Sequence, residues 1–330
     1  MSARGRHAGA AIAALAVVVV LAAGEALAFV RSTTGNAPFF WKESCVPVTI
    51  YLNHFPEKSG MTQDQIVKSV AAAAHTWSTD AVTCDDGTSP YLEIVPTLAP
   101  AAASPPVVAW DAKNSLIFRT EMWSKSGIPG HMYAFEALAV TTVTARADGH
   151  IVDADVEVNG VNQSWMNFDP GVTAPYDQGE TREFFDLQNA LTHEFGHLIG
   201  LDHTCFIPSA DNPFIGTDGK PRPNDNDLKP IPDCDAAPSD VSQTVMFNVT
   251  SPGETSQRYL SKDDRDAVCT IYAASTPHDA CVLDTATPAG CSVGAPGPGR
   301  RAGWAWGGPA GALAVAAAGF VLARRGARRG

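Results

Sequence analysis

The sequence has 330 residues, of which 45% are hydrophobic and 18% are charged, which is ordinary for a globular protein and excludes a low-complexity chain. The net charge is −12, and it reaches −19 between residues 29 and 291, where 34 acidic side chains outnumber 15 basic ones. Such an acidic body lacks the basic surface that nucleic-acid binding requires, so we expect no nucleic-acid partner.

Residues 1–28 have the pattern of a secretory signal peptide. Arg4 and Arg6 precede an apolar run, and a small-x-small site then predicts cleavage between Ala28 and Phe29. The alternative is a retained membrane anchor, although the apolar run is short for a span. Export predicts an extracellular or cell-surface location for the rest of the chain.

The first half of the body predicts strands and one helix. CVPVTIYLN predicts a strand because its apolar residues alternate. MTQDQIVKSVAAAAHTWSTDA predicts a helix that starts with a capping box of Thr62 and Gln65. YLEIV and NSLIF predict short strands, and EALAVTTVTA and HIVDADVEVNG predict a hairpin around the turn ADG.

The second half predicts two helices and a long loop. From Asp186 the apolar spacing becomes helical, and Gly200 fits a left-handed helix end. Residues 204–243 are rich in Asp, Asn and Pro and have no periodicity, which predicts a loop. LSKDDRDAVCTIYAAS predicts a last helix that begins with the pair Ser261 and Asp264. The elements together predict one α+β domain.

The end of the chain predicts a linker and an apolar segment. Residues 276–303 are rich in Pro, Gly and Ala. Residues 304–323, WAWGGPAGALAVAAAGFVLA, are uncharged and just long enough for a transmembrane helix, which the Arg-rich residues 324–330 would orient. Because Ala and Gly dominate this segment, a transient sorting signal and a lasting anchor both fit. We expect membrane contact only through this segment.

Cys291, the linker, the apolar segment and the arginines together resemble the C-terminal sorting tags of myxobacterial surface proteins. In those tags the cysteine is the processing point, so the resemblance implies processing at Cys291. A free thiol in a linker is the alternative.

The remaining six cysteines of an exported chain predict three disulfides. Six cysteines allow fifteen pairings, which the sequence alone does not distinguish. We predict that neighbours pair in sequence order, as Cys45–Cys84, Cys205–Cys234 and Cys269–Cys281.

The stretch LTHEFGHLIGLDH carries the candidate chemistry. His193 and His197 are four residues apart, so on a helix they project from one face towards a shared metal. Gly200 allows a turn that returns His203 as a third ligand, and Glu194 is left to take a proton from water. Three neutral imidazoles suit one Zn²⁺ with a position open. A structural zinc or a solvated His-rich helix is the alternative, but a fourth Cys or His would be expected to close a structural site.

This stretch resembles the zinc signature of the metzincin metallopeptidases, and most of all that of the matrixin branch. The family has a methionine-containing turn beneath its zinc, and the resemblance assigns this role to Met246 of QTVMFNVTS, against the alternative of an ordinary core methionine. LSKDDRDAVCTIY resembles the matrixin C-terminal helix. The resemblance covers residues 40–275 and implies a zincin-like fold, in which a twisted mixed sheet, an edge strand over the cleft, an active-site helix and a C-terminal helix form a catalytic domain over 29–275.

The sequence also departs from the matrixin pattern. Thr204 stands where Ser is usual, and no PRCGxPD segment is present whose cysteine would cap the zinc. Val140 falls where a ligand of a second, structural zinc would be, and His150 nearby is not taken as one. The loop 204–243 is longer than in the family and is expected to shape specificity.

Three acidic residues are candidates for a calcium site. Asp153, Asp155 and Glu157 alternate, so they share one face of a strand near the place where the family binds calcium. A calcium site and a plain solvated acidic face are both open interpretations.

The predicted function is an exported zinc-dependent endopeptidase. Zn²⁺ would polarise the scissile carbonyl while Glu194 deprotonates the attacking water and then protonates the leaving amine. A protein or peptide substrate would add as an antiparallel strand near Leu138–Thr144, the segment that resembles the matrixin edge strand. The alternatives are a surface-displayed binding or adhesion module on a zincin fold, and a zinc-dependent hydrolase of a small amide or ester. We expect a monomer.

Overall fold

The structure is a computed structural model that describes residues 29–281, except 36, 53–58, 60, 102, 106, 109, 171–182 and 218, and the backbone of residues 313–318 and 322–323. The helices are α1 Gln63–Thr76, α2 Leu187–Leu198, α3 Ser239–Ser242 and α4 Lys262–Ile271. The strands are β1 Val30–Arg31, β2 Thr33–Thr34, β3 Ala37–Pro38, β4 Cys45–Tyr51, β5 Glu93–Leu98, β6 Ser115–Arg119, β7 Ala139–Arg146, β8 Ile151–Asn159, β9 Ser164–Met166, β10 Phe184–Asp186, β11 Leu201–Asp202, β12 Val249–Thr250, β13 Leu313–Ala318 and β14 Leu322–Ala323.

One mixed sheet forms the centre of this α+β fold, with the strand order β13-β7-β8-β6-β4-β5. Strands β4, β5, β6 and β8 run parallel, and β7 runs antiparallel to β8, which confirms the predicted hairpin. Helices α1 and α2 contact each other, while α1 also contacts β5 and α2 contacts β7. The hydrophobic core lies between these helices and the sheet.

The predicted caps and apolar faces explain why these elements form. At the start of α1, Gln65 N donates to Thr62 Oγ1 at 3.2 Å and Thr62 N donates to Gln65 Oε1 at 2.8 Å, which completes the capping box. Trp77, at the end of α1, is fully buried and its indole N–H donates to the carbonyl of Thr192 in α2 at 2.8 Å. The core side of α1 therefore fixes the position of α2.

All six predicted cysteines form disulfides, but two of the three predicted pairings are wrong. Cys205–Cys234 is confirmed, whereas the other bonds are Cys45–Cys281 and Cys84–Cys269, across 236 and 185 residues. The end of the body lies beside the start of β4, where Ser44 N donates to the carbonyl of Asp279 at 2.9 Å. Pairing therefore follows the fold, which brings distant segments together, and not the order along the sequence.

The long stretch 204–243 is largely irregular, as predicted. It differs from the prediction at its end, where α3 and a 3₁₀ turn at Cys234–Ala236 form. The disulfide Cys205–Cys234 closes most of it into one loop. A small cluster of Phe206, Ile231 and Val30 packs the loop against β1 and so attaches it to the body.

The C-terminal apolar segment differs from the sequence-based expectation of a helix over 304–323. Its described residues form the strands β13 and β14, so the helix prediction is wrong for 313–318 and 322–323. Strand β13 runs antiparallel to β7, and β14 runs parallel to β12. The edge of β7 offers unpaired N–H and C=O groups, which an extended chain satisfies and a helix does not.

Several other predictions fall outside the described residues. These are the signal peptide with Ala28, the processing residue Cys291, most of the linker, and residues 304–312, 319–321 and 324–330. In the part of the chain that the structure describes, no helix is long and apolar enough to cross a membrane.

Candidate metal centre

Helix α2 holds the first two histidines in a buried position. Asp186 caps the helix by accepting a hydrogen bond from Asn189 N at 2.7 Å, and Arg258 Nε donates to the same carboxylate at 2.7 Å. His193 and His197 are both 0% exposed. Because they are four residues apart, both imidazoles leave the same side of this fixed helix.

A glycine turn brings the third histidine back to the helix. Gly200 has φ +94°, which strains any other residue, and a Cβ there would lie 2.7 Å from the carbonyl oxygen of Phe39. The chain then forms β11, which pairs with β1, and reaches His203 immediately afterwards. The predicted turn at Gly200 is thus confirmed, and its close contact with Phe39 explains why glycine is needed.

The three imidazoles converge on one point. The Nε2 atoms of His193 and His197 are 3.1 Å apart, those of His197 and His203 are 3.1 Å apart, and those of His203 and His193 are 3.2 Å apart. Three nitrogens that each lie about 2.0–2.1 Å from one Zn²⁺ have a similar spacing. Among the described residues, these three side chains form the group that could hold a metal ion. The donor set therefore fits zinc.

Backbone carbonyls fix the tautomers of two of the histidines. Nδ1 of His193 lies 2.7 Å from the carbonyl oxygen of Val245, and Nδ1 of His197 lies 2.9 Å from that of Leu201. A carbonyl oxygen only accepts, so each Nδ1 carries the proton and each Nε2 presents a lone pair to the shared point. This outer set of contacts orients metal-binding histidines in general.

The site also favours neutral imidazoles. Burial lowers the pKa of His193 and that of His203 well below the usual value, and the charge of His197 lowers both further. Burial is also the main cause that lowers the pKa of His197, although Asp202 opposes it. Metal ligands must be deprotonated, so this environment prepares all three side chains for a cation.

Glu194 lies on the same helix and contacts the edge strand. Its side chain is 0% exposed, and Thr141 Oγ1 of β7 donates to Glu194 Oε2 at 2.6 Å. The sequence placed Thr141 in the predicted edge strand without a role, because a threonine among β-branched residues gives no sign of what it contacts. The carboxylate is therefore held between the histidines and β7.

Met246, to which the resemblance assigns the methionine turn, packs against the glycine between the first two histidines. It is 1% exposed, and its carbonyl accepts a hydrogen bond from Thr204 N at 3.0 Å. A Cβ at Gly196 would overlap Met246 Sδ and would lie 3.1 Å from Trp77 Cζ2. The glycine between the first two histidines thus allows α2 to pack against this methionine.

The turn around Met246 is anchored by α4. Asp264 Oδ2 accepts hydrogen bonds from Val245 N at 2.9 Å and from Ser261 Oγ at 2.7 Å. Gln257 Nε2 donates to the carbonyl of Phe247 at 2.8 Å. Asp264 therefore holds Val245, whose carbonyl oxygen orients His193. The sequence identified Asp264 through its capping box, but that signal says nothing about the second contact.

The three acidic residues of β8 do not converge as the histidines do. Asp153 Oδ1 accepts from Lys113 N at 2.9 Å, and Asp155 Oδ1 accepts from Ser115 N at 3.1 Å. Glu157 accepts from Arg119 Nε at 2.5 Å, from Ser126 N at 2.9 Å and from Tyr133 Oη at 2.6 Å.

The burial of these side chains corrects one of the two interpretations of the acidic face. Asp153, Asp155 and Glu157 are at most 1% exposed, so the face is not solvated. Each carboxylate is bound by its own set of protein donors, and within the described residues they form no metal-binding group. The calcium site at these residues stays a prediction. Burial raises the pKa of Asp153 to about 6 and that of Asp155 to about 7.

A cavity of about 340 Å³ opens beside the third histidine. The long loop provides most of its wall, including Lys220 and Arg222, while Arg31, Asp202 and His203 complete it. The positive charge of Lys220 is one of the causes that lower the pKa values of His197 and His203. The loop thus brings a cationic wall to the metal centre of an acidic protein.

Comparison with models of known protein families gave no match, and comparison with curated proteins gave none either. The function of this chain is therefore inferred from the geometry of its own side chains.

Proposed function

We propose that this chain is an exported zinc-dependent endopeptidase of the matrixin-like type. The observation that carries the proposal is the triangle of Nε2 atoms, 3.1–3.2 Å apart, beside the buried carboxylate of Glu194 and below an edge strand. This combination supplies three neutral nitrogen ligands and a proton acceptor within one cleft.

The arrangement around the histidines supports a zincin-like fold. An antiparallel edge strand lies over the active-site helix, a methionine turn lies beneath the histidines, and a capped C-terminal helix supports that turn. This arrangement supports the matrixin resemblance, although such an arrangement can serve more than one function.

The donor set favours a catalytic rather than a structural zinc. The metal-binding group contains three histidines among the described residues, whereas structural zinc sites usually have four protein ligands. A Zn²⁺ bound here would act as a Lewis acid on a carbonyl and would acidify water. A pure adhesion module would not require the buried acidic group that lies beside these ligands.

Glu194 has the chemistry of a general base. Its carboxylate accepts the proton of the attacking water and then donates it to the leaving nitrogen of the cleaved peptide. Thr141 Oγ1, which donates to Oε2 at 2.6 Å, holds one carboxylate oxygen towards β7. The contact sets the direction of the other oxygen and keeps the base beside the strand that would bind substrate.

Strand β7 is the surface on which a peptide would bind. A substrate in extended conformation would pair antiparallel with it, so that main-chain hydrogen bonds provide affinity and side-chain pockets provide preference. The acidic body makes a protein or peptide a better partner than nucleic acid.

The first described residue supports the proposed export processing. Phe29 is 1% exposed, and its backbone nitrogen lies 3.0 Å from Asp263 Oδ1. Cleavage between Ala28 and Phe29 would convert that amide into an ammonium group and the hydrogen bond into an ion pair.

The proposal is tested by removing and restoring the metal. The purified protein is treated with a chelator, dialysed, and supplied with Zn²⁺ in the presence of a library of unstructured peptides, with products identified by mass. We expect cleavage of internal peptide bonds that disappears with chelation and returns with about one Zn²⁺ per chain. A panel of small esters and amides is tested in parallel, and hydrolysis of these compounds without peptide cleavage would favour the alternative hydrolase. Peptide cleavage that survives complete zinc removal contradicts the proposal.

A further inference from the structure

The last strands of the chain lie on two sides of the metal centre. Strand β13 pairs antiparallel with β7 from Leu313 opposite Arg146 to Ala318 opposite Thr141. Strand β14 pairs parallel with β12, with Leu322 opposite Val249 and Ala323 opposite Thr250. The backbone of one segment thus contacts both the edge strand and the segment that follows the methionine turn.

The register places this segment at the catalytic machinery. Ala318 is the partner of Thr141, and Thr141 is the residue whose hydroxyl contacts Glu194 at 2.6 Å. Strand β12 begins three residues after Met246, the residue that packs beneath the histidines. The described parts of this segment therefore reach both the strand that contacts Glu194 and the strand that follows Met246.

We propose that residues 313–318 and 322–323 occupy the peptide-binding cleft of their own chain and compete there with peptide substrates. This inference rests on the proposed function, because the cleft is defined by the candidate metal centre. The segment binds as a substrate would, in extended conformation and antiparallel to the edge strand, and it makes the cleft a site for extended segments of small apolar residues.

The composition of the segment fits this role. LAVAAA, the sequence of β13, contains no charge and no residue larger than Leu, so it can lie against a neighbouring strand without steric conflict. It also covers the edge of β7, whose free N–H and C=O groups would otherwise be open to pairing with another chain.

Covalent attachment makes a weak contact effective. A segment attached to the same chain acts at an effective concentration on the order of millimolar, so even low intrinsic affinity keeps the cleft filled. The occupant competes only with substrate, so it raises the apparent KM and leaves kcat unchanged once substrate is saturating. The chain thereby has a means of holding its activity low that uses no cysteine.

The test uses the full chain with prolines in β13. The double variant Ala314→Pro and Ala317→Pro removes the backbone N–H at one even-numbered and one odd-numbered position of β13. Because alternate N–H groups of a strand point to the same neighbour, at least one hydrogen bond to β7 is lost. Ala286→Pro, in the linker, is the matched control. Amide hydrogen exchange of residues 139–146 is measured in the zinc-free and zinc-loaded proteins, together with KM and kcat for a cleaved peptide.

We expect exchange at β7 to be at least about tenfold faster in the double variant than in the control, with KM lowered by a similar factor and kcat unchanged. A synthetic peptide of residues 309–325 added to the double variant should restore both the protection and the high KM. Equal exchange rates in the double variant and the control would overturn the proposal.

Two further outcomes keep the inferences separate. Protection of β7 that depends on protein concentration would assign the occupant to a second copy and overturn occupancy within one chain. Loss of protection in the double variant, without peptide cleavage by any variant, would support the occupancy of the cleft and contradict the proposed peptidase function.

Discussion

The three histidines of the candidate metal centre and the three carboxylates of β8 are both residue types that metals bind. The two sets differ in how the chain spaces them. The histidines occupy a helix at four-residue spacing followed by a glycine turn, and their Nε2 atoms meet within 3.2 Å. The carboxylates occupy alternate positions of one strand, where successive side chains on a face are separated by about 6.6 Å.

The second difference lies in what surrounds each set. Backbone carbonyls accept hydrogen bonds from Nδ1 of His193 and of His197, so the Nε2 lone pairs of both residues point towards the shared site. The carboxylates of Asp155 and Glu157 instead accept hydrogen bonds from Ser115 and from Arg119 and Tyr133. A metal site needs ligand atoms that are not occupied by protein donors, and among the described residues the three histidines form the group that could hold a metal ion.

Removal of one histidine should have the largest effect. His197→Ala leaves two ligands, so we expect zinc content far below one per chain and peptide cleavage reduced by a factor on the order of 10³ or more. Zinc content is measured by mass spectrometry of the dialysed protein and cleavage by a continuous peptide assay.

The matched control for this variant is His150→Ala. His150 lies 3.2 Å from Glu43, close to the β7–β8 hairpin but outside the histidine triangle. The variant should keep zinc and activity. Equal loss in the two variants would mean that the triangle has no special role.

Substitution of Gly196, between the first two histidines, should have a smaller effect, which falls on the stability of the fold. In Gly196→Ala the new methyl group would overlap Met246 Sδ, so we expect the free energy of unfolding to fall by about 2–3 kcal/mol. Urea denaturation of the zinc-free protein measures this change. Met246→Ala makes room for the methyl group, so the double variant should be less destabilised than the sum of the two single variants. Strict additivity would contradict the packing that we describe.

Substitution of a carboxylate in β8 should have the smallest effect, and this effect on the free energy of unfolding should depend on pH. Burial raises the pKa of Asp155 to about 7, above its value in the unfolded chain, so ionisation costs more in the folded state. The ionisation of Asp155 therefore lowers the free energy of unfolding progressively as pH rises from about 4 to about 7. Its contribution is constant at higher pH.

The variant Asp155→Asn cannot ionise and keeps an oxygen that accepts from Ser115. We expect it to match the wild type in unfolding free energy near pH 4 and to exceed it by about 1–3 kcal/mol at pH 8. Asp148→Asn, in the exposed hairpin turn, is the control and should change little at either pH. Stabilisation of the wild type by millimolar Ca²⁺ that Asp155→Asn abolishes would support the predicted calcium site, and unfolding that Ca²⁺ leaves unchanged would contradict it.

Local patterns predicted the local parts of this structure well. The capping pairs Thr62 with Gln65 and Ser261 with Asp264, and the turn at Gly200, depend on residues close in sequence, and all three form. The convergence of His193, His197 and His203 is also local, since helix geometry and one turn suffice to produce it.

The parts that the sequence did not predict depend on contacts between distant segments. The disulfides Cys45–Cys281 and Cys84–Cys269 require the end of the body to meet its beginning. The contact of Thr141 with Glu194 requires the register of β7 over α2. The strands of the C-terminal segment require an open edge on β7, which hydropathy does not reveal, so an apolar run of this length was interpreted as a helix.

The most direct test of the account separates metal binding from catalysis at Glu194. In Glu194→Gln the histidine triangle is unchanged but the general base is lost, with Glu183→Gln, an exposed residue just before α2, as control. We predict that the Glu194 variant retains about one Zn²⁺ per chain while peptide cleavage falls by a factor on the order of 10²–10⁴, and that the control keeps both. Cleavage at the wild-type rate by zinc-loaded Glu194→Gln would contradict the account.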